Sequence, residues 1–109
     1  MNVLVKYSNK YIDEHLEDLI QKSDNTIFFA NTVEKAIRVL NDNNIEKIFV
    51  EIDILEEVNF IEYVNEYFPN IQVLITTNTY NKSILEVVKQ GVFAIIKEPL
   101  NLKTILSNL

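Results

Sequence analysis

Few side chains in this sequence could do chemistry, and most of them are carboxylates. Sixteen Asp and Glu stand against ten Lys and Arg, with one His and no Cys. Without thiols there is no disulfide framework, no thiolate nucleophile and no thiolate metal site, and a lone histidine cannot build a histidine-rich zinc centre. Metal chemistry would have to rest on carboxylates. The group Asp53, Glu56 and Glu57 follows a strand-like run, but the same residues suit a solvated turn leading into an acidic helix start. His15 stands among Asp13, Glu14, Glu17 and Asp18, a polar helix face and so a surface position. No glycine-rich phosphate loop, catalytic triad or metal-ligand spacing occurs. The chain therefore reads as a binding protein and not an enzyme, with no cofactor and no metal.

Charge and length narrow the partners. A net charge of −6 and a pI near 4.7 repel a phosphate backbone, whose affinity for proteins comes mostly from lysine and arginine displacing counterions. Nucleic acid is excluded on that ground. No apolar stretch is long enough to cross a bilayer, and the N-terminus lacks the basic start and apolar run of a secretory signal. Residues that must find a partner are expected to find a protein, in the cytoplasm. At 109 residues, 48% apolar, the chain is sized for one domain over 1–109 with a real core.

The elements that would position these residues alternate in type. Strand-like runs are Val3–Tyr7, Thr26–Ala30, Lys47–Ile52, Gln72–Thr77 and Phe93–Lys97, each short and β-branched or aromatic as buried parallel strands are. Between them, Ile12, Leu16, Leu19 and Ile20 share a helical face, as do Val33, Ala36, Ile37 and Leu40. A third helix carries Val58, Ile61 and Val64 and must stop at Tyr67-Phe68, because Pro69 cannot continue it. A fourth runs through Ile84 to Lys89, where Gly91 can take the left-handed cap; a short last segment covers Leu102 to Leu109. Five alternations predict a flavodoxin-like (βα)5 three-layer sandwich with a parallel sheet in the order 2-1-3-4-5. In such sheets ligands gather at the carboxyl ends of the strands.

Read at those ends, the chain resembles the receiver (CheY-like) domain of response regulators along its whole length. PNIQVLITTN (69–78) is similar to the family's proline, fourth strand and terminal threonine, which puts Thr77 at the switch threonine. GVFAIIKEPL (91–100) is similar to its glycine, fifth strand and lysine-proline signature, and EKIFVEIDIL (46–55) to the third strand that ends in the phosphorylated aspartate. The resemblance also implies a cis Glu98–Pro99 bond.

The family's chemistry is what this sequence departs from. Lys6-Tyr7-Ser8 replaces the acidic pair that holds magnesium, a hard cation that needs carboxylate oxygens. Glu51 takes the nucleophile position, one methylene too long for acyl-phosphate chemistry that depends on placement. Glu98 takes the lysine position, while Lys97 falls one residue early and points to the other side of the sheet unless a bulge turns it. Ile95 takes the aromatic switch position, with Phe93 as a stand-in on the same face. Only Thr77 is retained. Lys6 and Glu51, at the ends of neighbouring strands, form either a locking ion pair or two solvated rim charges worth under about 1 kcal/mol.

These substitutions imply a degenerate pseudo-receiver that regulates by binding a sensor, effector or transcription factor, independently of phosphorylation. Two alternatives stay open: the N-terminal regulatory domain of a longer transcription regulator, and a receiver phosphorylated on Asp53 or Glu51. A homodimer is expected through helix four, strand five and helix five, because Ile84, Val88, Leu102, Ile105, Leu106 and Leu109 form an apolar set too large for one short segment to bury.

Overall fold

The computed structural model describes residues 1–7, 24–51, 55–76, 92, 94–96, 105 and 107–109. Five strands, β1 (Asn2–Lys6), β2 (Thr26–Ala30), β3 (Lys47–Glu51), β4 (Gln72–Thr76) and β5 (Ala94–Ile96), form one parallel sheet in the order β2-β1-β3-β4-β5. Two helices are described, α1 (Val33–Asp42) and α2 (Leu55–Tyr67). The strands begin and end within a residue of the apolar runs, because a β-branched run that is buried on both faces has no reason to stop before its apolar residues do.

The sheet pleat divides the core in two. On one face Leu4, Ile48, Val50, Val73 and Ile75 pack with Ala36 and Leu40 of α1 and Val58, Phe60, Ile61 and Val64 of α2. On the other, Val3, Val5, Phe49 and Leu74 pack with Ile105 from the last segment of the chain. The central strands thus alternate Val, Leu, Val in β1 and Ile, Phe, Val in β3 with no polar position until the carboxyl end. Each fully buried side chain of this kind contributes about 1.5–3 kcal/mol over its exposed state.

Local signals fix the helix boundaries. Thr32 caps α1, accepting the Lys35 backbone N–H on its hydroxyl at 3.2 Å, and Glu34 places a negative charge in the first turn. At the far end the Asn43 backbone N–H donates to the Val39 carbonyl at 3.0 Å. α2 ends at Tyr67 just before Phe68-Pro69, as the proline requires. Asp24, in the turn leading to β2, has φ of 57°, a left-handed conformation that a short polar side chain tolerates. The C-terminal segment is tied under the sheet: Lys47 Nζ, at the start of β3, donates to the Asn108 carbonyl at 2.6 Å.

This packing corrects part of the expected interface. Ile105 has no exposed surface and fills the core beside Val5 and Phe49, and Leu109 is half-buried against the same cluster. Ile105 is taken up by the sheet, because the face it covers has β-branched and aromatic residues along its length, while Leu109 keeps part of its surface exposed. Ile84, Val88, Leu102 and Leu106 lie outside the described residues, as do Asp53, Thr77, Phe93, Lys97 and the Glu98–Pro99 bond.

Candidate functional site

The carboxyl ends of the strands are set by register. One row across the sheet runs Ala30, Lys6, Val50, Ile75 and Ile95; the next level brings Glu51 of β3 beside Thr76 of β4 and Ile96 of β5. Successive residues of a strand point to opposite faces. Lys6, level with Val50, therefore leaves the sheet on the α1/α2 face, while Glu51 and Thr76 leave it on the face of Phe49 and Leu74.

This register changes the relation expected between Lys6 and Glu51. They end neighbouring strands, yet their side chains depart from opposite faces, so a direct bridge would require one of them to turn over the edge of the sheet. Tyr7 is the β1-end residue on Glu51's side: it packs on the Val3–Phe49 cluster, its ring edge-on to Phe29 with centroids 6.4 Å apart. Its backbone N–H is held by the Ala30 carbonyl at 3.0 Å. Neither charge is a rim charge, since Lys6 is 3% and Glu51 4% exposed. That burial excludes the description of the two as solvated charges.

Thr77, at the switch threonine position, lies outside the described residues; its neighbour Thr76 lies level with Glu51 on the same face. It is completely buried and its hydroxyl Oγ1 meets no hydrogen-bond partner among the described residues. A buried hydroxyl without a partner is costly. Ile95, at the aromatic switch position, is half-buried and level with Ile75 on the opposite face from Thr76.

The donor set does not fit the magnesium of receiver chemistry. β1 ends in a buried ammonium where two carboxylates are needed, and Glu51 is the sole carboxylate described at the strand ends. Among the described residues no group of three His, Cys, Asp or Glu is placed to hold a metal. No helix of the described residues is long and apolar enough to cross a membrane.

Strand order, parallel register and the two-faced core together match known structures. The chain has the fold of a response-regulator receiver domain. An orphan response regulator of H. pylori superposes with a TM-score of 0.81 at 16% identity, over 99% of this chain and 92% of that one. A CheY-like receiver domain protein of Methanospirillum hungatei gives 0.82 at 13% identity, over 98% and 88%. An atypical orphan response regulator, described as having a new phosphorylation-independent regulatory mechanism, gives 0.77 at 16% identity, over 99% and 91%. No protein-family model matches the sequence, and no curated protein matches it.

A concavity lies at the opposite, amino edge of the sheet. The segments entering β3 and β4 enclose a cleft of about 360 Å3, lined by Asn43, Glu46, Tyr67, Phe68, Asn70 and Ile71 among others.

Proposed function

We propose that this domain is a phosphorylation-independent pseudo-receiver: a regulatory protein-interaction module in two-component-type signal transduction, working by docking to a sensor, effector or transcription factor and without catalysis. The observation that carries this reading is the burial of Lys6 and Glu51 at the strand ends. Phosphoryl transfer depends on positioning an acceptor and neutralising the transferred charge. Glu51 presents almost no surface to a donor, and the end of β1 offers an ammonium in place of metal-binding carboxylates. The regulator described as phosphorylation-independent supports the reading by likeness of fold; the property itself belongs to that protein.

Incubation with a small-molecule phosphodonor and magnesium, followed by intact mass measurement, tests it. The expected mass is unchanged, in the native chain and in Glu51→Asp, since the aspartate alone restores no metal site. A phosphoryl adduct mapped to Glu51 or Asp53 overturns the reading.

The same proposal includes a homodimer and a cytoplasmic setting. With Ile105 buried in the core, the interface is assigned to Ile84, Val88, Leu102, Leu106 and the exposed part of Leu109. A constitutive interface depends on concentration alone. Light scattering is expected to show a mass that rises with concentration, is insensitive to phosphodonor and falls to the monomer in Leu106→Glu; a monomer at every concentration refutes the dimer.

A further inference from the structure

The cleft at the amino edge combines a concave shape, an exposed ring and an exposed carboxylate. Tyr67 is 62% exposed, although its ring is anchored by Tyr63 at a centroid distance of 4.9 Å, and Tyr63 in turn meets Phe68 at 6.2 Å. An aromatic ring held rigidly and left in solvent is an anchor for a partner, because little further entropy is lost when it is covered.

The charge around it is negative from three sources. Exposed Glu46 lines the cleft, and exposed Asp42 and Glu66 adjoin its walls. Both α1 and α2 end here, and a helix C-terminus carries about half a negative charge. Neither helix has the basic residue in its last turn that commonly offsets it. None of the described lining residues is basic. Among the described residues, Lys47 is bound to the Asn108 carbonyl on the other face, Arg38, the chain's sole arginine, is exposed on α1 one turn before its end, and Met1 stands at the same edge, next to Asn2, whose carbonyl accepts the Glu46 N–H at 2.9 Å.

We propose that this cleft docks an arginine-bearing segment of a partner protein, the guanidinium lying on the Tyr67 ring and pairing with Glu46. Charge complementarity selects the cation, and a flat guanidinium stacks on an aromatic face while its N–H groups reach a carboxylate and the side-chain oxygens of Asn43 and Asn70. The volume stands at the small end for ligand pockets and suits one or two side chains. The inference rests on the proposed function only in taking the partner to be a protein; it places the contact at the end of the sheet remote from Glu51.

A fluorescein-labelled short arginine peptide, compared with its citrulline twin at low salt, tests the proposal by anisotropy and by amide NMR shifts. The arginine peptide is expected to bind and to perturb Asn44, Glu46, Asn70 and Ile71. Tyr67→Ala and Glu46→Gln, both at exposed positions, should each weaken it about two- to five-fold and together about tenfold. Glu34→Gln, at the other end of α1, should leave affinity unchanged. Equal binding by the citrulline peptide, shifts centred on the Glu51 end, or full affinity in the double variant overturns the proposal. So does free arginine binding as tightly as the peptide, or a peptide-free self-association at the cleft that Arg38→Gln abolishes, which would make a second copy the occupant. A failed titration beside an unchanged phosphodonor mass refutes the cleft alone; a phosphoryl adduct refutes the proposed function and leaves the cleft result standing.

Discussion

The two edges of the sheet treat their polar groups in opposite ways. At the carboxyl edge Lys6, Glu51 and Thr76 are sealed almost completely inside the protein. At the amino edge Glu46, Asn44, Asn70 and Tyr67 stand in solvent around a cleft. A receiver fold usually leaves its carboxyl edge open to ligands, as α/β sheets do in general. Among the described residues, the polar side chains at that edge are buried, while those at the amino edge are open to solvent. One scaffold thus holds its polar groups in two different ways at its two edges.

The contrast can be tested through stability. The largest effect is expected from Ile105→Ala, which opens a cavity beside Phe49 and should cost about 2–5 kcal/mol. Urea unfolding should show a lower midpoint at constant m-value; a shift under about 0.5 kcal/mol would mean that the last segment is an exposed interface after all. Next, Thr76→Val replaces a buried, unpartnered hydroxyl by a methyl of similar size and should raise stability by about 1–3 kcal/mol. A loss instead would show that the hydroxyl has a partner and that the carboxyl edge is a working polar network. The smallest effect is assigned to Tyr67→Ala, which loses only its contact with Tyr63 and should cost less than about 1 kcal/mol. A larger cost would make Tyr67 a core residue and remove the difference between the two edges.

Most of the scaffold was legible in the sequence. TIFFA is a strand over Thr26–Ala30 as expected, Pro69 ends α2 where it must, and the alternation of runs gives the order 2-1-3-4-5. These follow from local chemistry: β-branched runs, helical spacing and a residue without an N–H. The arrangement at the strand ends was not legible in the same way. Sequence places Lys6 and Glu51 at the ends of neighbouring strands but does not give the offset that pairs Lys6 with Val50, and one residue of offset reverses the face. Ile105 and Leu109 looked surplus because the size of the face they cover depends on Val3, Val5, Phe49 and Leu74 lying side by side, which is a tertiary fact. The cleft arises from two loops distant in sequence, and no motif announces it.

The burial of Ile105 against Val3 and Val5 also orders events during synthesis. Chains emerge from the ribosome N-terminal end first, at about 5–20 residues per second. The α1/α2 face of the sheet can assemble once β4 is out, since its buried cluster is drawn from Leu4 to Ile75. The opposite face cannot be completed until Ile105 has left the exit tunnel, and the Lys47–Asn108 bond, 61 residues apart in sequence, closes later still. A nascent chain stalled short of Ile105 therefore lacks that side chain's cover over Val3, Val5, Phe49 and Leu74, an apolar surface that chaperones recognise.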